Sequence, residues 1–189
     1  MTFTAGSWMF LGVMAVVLGM VIGMFNRLVS LRQQVRAAWS DIDAQLKRRA
    51  DLVGNLVETV KGYATHEEHT LSEVARWRSA TSTARSPQET ATADSGLTQA
   101  LRGLFAVAEA YPDLKADTSF LGLQTELSQL EDDTLGARRY YNAVVRDYNT
   151  ALETFPSSLV ATLGAFRAHP FFQLDQPAER RPPHVSFGR

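Results

Sequence analysis

The chain has no cysteine. That excludes disulfides, thiolate catalysis, thiolate metal sites and a lipidated N-terminal cysteine, and it leaves the redox compartment open. Its net charge of −1 gives no global basic field for nucleic acid. Lys47-Arg48-Arg49 is the one basic cluster, and it lies beside an apolar seam with Asp51 close by, so a nucleic-acid partner is discounted. There is no glycine-rich phosphate loop and no nucleophile elbow. His66 and His69 are three apart, where a zincin needs histidines four apart around a glutamate. No histidine has a glutamate three residues before it, as di-iron bundles require. Neither a catalytic residue, a metal nor a cofactor is therefore expected, and His66 reads as a structural or capping histidine. No segment shows the strict alternation of a half-buried strand.

Charge is also missing from the first 26 residues, and Trp8–Phe25 is apolar throughout. Eighteen helical residues span about 27 Å, close to the hydrocarbon thickness of a bilayer. The rival reading, a signal peptide, wants a basic leading region and a small-x-small cleavage site, and neither is evident. Arg27, Arg32 and Arg36 follow the run and no cation precedes it. The positive-inside rule then places the N-terminus outside and the bulk of the chain in the cytoplasm, with a periplasmic or extracellular bundle as the alternative. Ala15, Gly19 and Gly23 repeat every four residues, a spacing that suits close helix approach or serves as lipid-facing filler.

No proline interrupts Leu28–Tyr63, and seam positions fall at Leu28, Leu31, Val35, Trp39, Ile42, Leu46, Arg49, Val53, Leu56, Val60 and Tyr63. The three-four step predicts a long helix packed along a seam. Arg48, Asp51, Asn55 and Glu58 form a polar stripe beside it. Gly62 suits the helix end, and Thr65 with Glu68 makes a capping-box pattern for a second helix carrying Leu71, Val74 and Trp77 or Arg78 inward. The polar, small-residue stretch Ser86–Gly96 reads as an exposed loop. A third helix is predicted from about Leu97 to Ala110, stopped by Pro112.

Asp117–Ser119 can cap a fourth helix with seam Phe120, Leu123, Leu127, Leu130, Thr134, Ala137, Tyr141, Val144, Tyr148, Ala151 and Phe155. Glu131, Arg138, Asn142 and Asn149 flank that seam. Arg49, on a seam itself, needs a carboxylate, and Glu131 or Glu126 is the candidate. Pro156 ends the fourth helix, and a short amphipathic one follows from Ser157 to near Arg167. The tail from His169 holds four of the seven prolines, with Phe171, Phe172 and Phe187. The expected fold is all-α: a transmembrane anchor over 1–26, an antiparallel bundle of four helices over 27–167 with long first and last members, and an extended tail over 168–189.

AWSDIDAQLKRRADLVGNLVETVKGYATHE (Ala38–Glu67), EAYPDLKAD (Glu109–Asp117), FLGLQTELSQLE (Phe120–Glu131), ARRYYNAVV (Ala137–Val145), Tyr148-Asn149, Phe155-Pro156, Phe171-Phe172 and PHVSF (Pro183–Phe187) together resemble the LemA family over nearly the whole chain. The resemblance implies a single N-terminal span followed by a helical bundle in a bacterial membrane. It also implies loose links with envelope stress, membrane-bound proteases and shaping of intracellular membranes. Ala50 and Gly54 depart from the family's frequent His and Pro, and the missing proline leaves the first helix straighter.

The polar stripes Arg48, Arg49, Asp51, Asn55, Glu58 and Glu131, Arg138, Asn142, Asn149 have two readings. One is charge pairing that fixes register across the seam. The other is a groove that docks a membrane-protein partner or a second copy. The functional expectation is a non-enzymatic, membrane-tethered scaffold or adaptor of the cell envelope. Alternatives are an oligomerising membrane-organising protein, or a regulator of a membrane-bound protease.

Overall fold

The structure is a computed structural model that describes residues 5–64 and 66–172. Every regular element among them is a helix: α1 (Ala5–Lys61), α2 (Glu68–Thr83), α3 (Pro87–Ala108), α4 (Pro112–Lys115), α5 (Thr118–Glu153) and α6 (Ser157–Leu163).

α1 runs for 57 residues without a break. Its first part, Trp8–Gly23, is exposed throughout and is long and apolar enough to cross a membrane. Its second part buries the expected seam at Leu28, Val35, Ile42, Leu46, Arg49, Val53, Leu56 and Val60. Leu31 and Trp39 are half-buried. Tyr63 departs from the seam: it lies past the helix end and is exposed.

The chain divides into two compact units, both drawing on α1 and α5. One comprises Met1–Gln45 with Asp133–Phe171; the other includes Leu46–Asp132. In the first, Trp39 meets Tyr141 edge-on at 5.5 Å, and Leu28 packs with Ala151 and Leu152. Numbers rise on one helix as they fall on the other, so α1 and α5 run antiparallel there. In the second, Arg49 pairs with Glu131 and Tyr63 with Asp117, which gives the same sense.

The second unit's core gathers Val53, Leu56 and Val60 of α1, Leu71 and Val74 of α2, Leu97, Leu101 and Leu104 of α3, Leu114 of α4, and Phe120 and Leu127 of α5. Burying each such side chain contributes about 1.5–3 kcal/mol. Two sequence expectations are corrected here. Ser86–Gly96 is not a loop but the start of α3: the Ser86 hydroxyl accepts from the Glu89 N–H at 3.2 Å, and Pro87 fills the first turn where no N–H is needed. Small residues make this segment buildable as a buried face, with Thr90, Ala91, Ala93, Asp94 and Gly96 all buried. A Cβ at Gly96 would lie 2.3 Å from the Trp77 ring, so only glycine admits that indole of α2. Second, Pro112 does not stop α3, which already ends at Ala108; it opens the single turn of α4.

Thr65 lies outside the described residues. α2 begins at Glu68, with Glu67 in the cap position making no side-chain cap bond. Trp77 packs on the core. Arg78 instead is exposed, lying over Gly54 while its Nε donates to the Ala50 carbonyl at 2.7 Å. Asp117 caps α5, accepting from the Ser119 and Phe120 N–H groups at 2.8 and 2.9 Å and from the Tyr63 hydroxyl at 2.9 Å. These donors, Phe120 foremost, hold its carboxyl below the usual range.

In the first unit Tyr141, Val144 and Tyr148 of α5 are buried. Phe155, last in the expected seam, is 76% exposed because α5 ends at Glu153 and Pro156 follows. α6 is shorter than expected, ending at Leu163. Ala165, at φ 52°, reverses the chain, and the Phe166 N–H returns to the Ala161 carbonyl at 3.0 Å. Of the expected tail, residues 173–189 lie outside the described residues.

Candidate functional site

The residues of the two polar stripes fall into three settings. Arg48, Asp51, Asn55 and Glu58 are all on one side of α1, with Glu58 accepting from Lys61 at 2.9 Å. Steps of three and four on a helix put them in a single row. Arg49, grouped with them in the sequence, is turned away and 3% exposed.

Arg49 is the hub of a buried polar node in the second unit. One terminal nitrogen binds the Asp94 carboxylate; the other reaches Glu131 at 2.5 Å and the Thr98 hydroxyl at 3.0 Å. Of the two carboxylates the seam pattern offers, Glu131 and Glu126, it is Glu131 that Arg49 meets. Asp94 and Thr98 escape that pattern because their stretch reads as a loop. A signal for them is present: Ser86-Pro87-x-Glu89 opens a helix, and Ala91, Asp94, Leu97, Leu101 and Leu104 continue one three-four series. The side chains of Arg49 and Asp94 are 4% and 2% exposed, so their charges are held by each other rather than by water, whereas Glu131 is 42% exposed. Such a node fixes the register of α1, α3 and α5.

The remaining stripe residues lie in the first unit. Arg138 is buried; Asn142 and Asn149 are half-buried. Asn149 grips the backbone of His169: its Nδ2 donates to the carbonyl at 2.9 Å, and its Oδ1 accepts from the N–H at 3.0 Å. The Tyr141 hydroxyl donates to the Pro170 carbonyl at 2.9 Å. The chain after α6 is therefore clamped along α5. The His169 ring sits 5.5 Å from that of Tyr148. Burial first, then the Arg36 and Arg32 cations, push its pKa below the ordinary histidine value.

Among the described residues no group of three or more His, Asp or Glu gathers where it could hold a metal ion. His66 and His69 are exposed, and the Ser72 hydroxyl donates to the His69 carbonyl. Among the described residues, the exposed row on α1, with Glu58 paired to Lys61, and the apolar anchor are surface features outside the buried node.

Comparison with known proteins agrees with this architecture. The LemA family pattern matches residues 38–187. Protein LemA of Metamycoplasma hominis is 32% identical over 144 residues, covering 74% of this chain and 64% of that protein. Magnetosome protein MamQ 2 of Paramagnetospirillum magneticum is 25% identical over 184 residues, covering 84% of this chain and 67% of its own length. Magnetosome protein MamQ of Magnetospirillum gryphiswaldense is 24% identical with the same coverage. A pattern spanning most of the chain, on an all-helical fold with one apolar N-terminal helix, places this protein in the LemA family.

Proposed function

We propose that this protein is a non-enzymatic, membrane-tethered scaffold or adaptor of the bacterial cell envelope. The observation that carries the reading is the continuity of α1. One uninterrupted helix of 57 residues is apolar and exposed at its start and part of a packed bundle at its end. At 1.5 Å per residue it is about 85 Å long, enough to cross a bilayer and still support the bundle. Arg27, Arg32 and Arg36 beyond the span favour a single pass through the inner membrane, N-terminus outside and bundle in the cytoplasm. The relatives' names state no enzymatic activity, and the Arg49 node is spent on packing.

The row Arg48, Asp51, Asn55 and Glu58 is the docking face in this reading, presented to a membrane-protein partner. Photo-crosslinking amino acids at Asp51 and Asn55 test it in cells. A discrete adduct with a second membrane protein is expected. Adducts only between copies of this chain would overturn the adaptor and favour the second reading, an oligomer that organises membranes. The likeness to two magnetosome proteins favours that second reading.

A further inference from the structure

Among the described residues outside the anchor, the three most exposed large apolar side chains are Phe155 at 76%, Leu159 at 59% and Leu163 at 87%. They recur every four residues, on and just before α6. The opposite side of α6 is buried: Val160 and Ala161 pack on Leu28, with Met24 against the same cluster. Phe166, brought back by the turn at Ala165, meets Phe25 edge-on at 5.5 Å and carries the Arg32 guanidinium over its ring at 5.1 Å. This exposed apolar face is thus built onto the residues where α1 leaves its apolar run.

We infer that α6 and the Phe155 turn form a wedge seated in the lipid headgroup layer, beside the point where α1 emerges from the bilayer. The inference rests on α1 being a membrane anchor. Distance selects lipid as the occupant. Met24 and Phe25 end the apolar run, and Leu28 lies one helical turn on, about 5 Å along the axis. The headgroup layer is about 5–8 Å deep on each side. A short helix packed on Met24 and Leu28 therefore lies at that depth, where apolar side chains of an interfacial helix sink into the acyl boundary. The cations agree with this placement. Arg27 adjoins Leu28, Arg32 lies over Phe166 and Arg167 follows it in the chain, and neither Arg27 nor Arg32 has a carboxylate partner among the described residues. Arg27 and Arg167 are exposed and available to lipid phosphate, which attracts juxtamembrane cations, while Arg32 is held over the Phe166 ring. Shallow insertion on one leaflet also gives this chain a direct physical handle on membrane curvature.

The absence of native cysteine makes the test direct. Single cysteines replace Phe155, Leu159 or Leu163 in the full-length protein, are spin-labelled, and are reconstituted in vesicles containing phosphatidylglycerol. Collision with oxygen, which partitions into lipid, is compared with collision with a water-soluble nickel chelate. Thr125→Cys, on an exposed polar part of α5, supplies the aqueous reference, and Val16→Cys the lipid reference. The expected result is a reversal of rank: oxygen dominates at 155, 159 and 163, and nickel at 125. Nickel-dominated collisions at all three wedge positions, with Val16 still in lipid, would overturn the wedge and leave the anchor standing. Nickel-dominated collisions at Val16 as well would overturn both. Dipolar broadening at 159 and 163 that vanishes on dilution with unlabelled chain would mean that a second copy covers this face, which also overturns the lipid assignment.

Discussion

Arg49 and Asp94, 45 residues apart in sequence, close on each other in the interior of the second unit with almost no exposure to water. Removing one partner strands the other. Asp94→Ala is expected to destabilise by about 3–5 kcal/mol, since the buried guanidinium keeps only Thr98 and the half-exposed Glu131. Glu131→Gln should cost below about 1 kcal/mol, because water screens that pair. Replacing both Arg49 and Asp94 by apolar residues of similar volume should recover most of the loss. Thermal unfolding in detergent reads all three. Equal losses for Asp94→Ala and Glu131→Gln would show that the node's strength is not set by burial.

Gly96 and Gly103 sit on the same helix with opposite surroundings. A Cβ at Gly96 runs into the Trp77 ring, whereas at Gly103 its nearest neighbour is a Thr70 methyl at 4.0 Å. Alanine in place of a helical glycine gains about 1 kcal/mol from propensity. At Gly103 that gain stands, and the melting temperature should rise. At Gly96 the overlap costs about 1–3 kcal/mol or more, so Gly96→Ala should melt lower and change the near-ultraviolet signal of Trp77. A Gly96→Ala protein as stable as the parent would mean that the indole can move aside.

The clamp on the chain after α6 should respond to pH. His169 is held neutral to a lower pH in the fold than when released, its ordinary value being about 6.5. As pH falls below that ordinary value, the released state takes up the proton first, so clamping weakens until the folded pKa is reached. Above it the contribution is constant. Trypsin cleavage after Arg167 should therefore quicken between neutral and mildly acidic pH, after correction for the protease's own profile. His169→Gln should flatten the response. Asn149→Ala, which loses both backbone contacts, should quicken cleavage at every pH. A pH response that survives His169→Gln would place the titrating group elsewhere.

How much of this can be read from residues alone follows from what each residue is paired with. The seams of α1 and α5 are legible because large apolar side chains spaced by three and four fall on one stripe of a helix, and such a stripe must be covered. Arg49 on a seam calls for a carboxylate, and Glu131 stands at the right register. Asp94 is not legible as a partner because Ser86–Gly96 is polar and small, a composition that ordinarily goes with exposure. In the fold the same smallness lets α3 approach Trp77. Phe155 continues a seam by spacing, yet the chain leaves the helix at Glu153 and turns it outward. The grip of Asn149 on the His169 backbone joins residues 20 apart through a main-chain contact, which side-chain periodicity does not encode.

The most direct measurement concerns the side of the membrane on which the bundle lies. Arg85 is exposed in the connection between α2 and α3, and a cysteine there has no native background. Cells carrying Arg85→Cys are treated with a membrane-impermeant thiol reagent before and after permeabilisation of the inner membrane. A cytoplasmic bundle gives labelling only after permeabilisation. Labelling of intact cells, with the outer barrier shown to be open to the reagent, would put the bundle outside and contradict the topology that the arginines after the span imply.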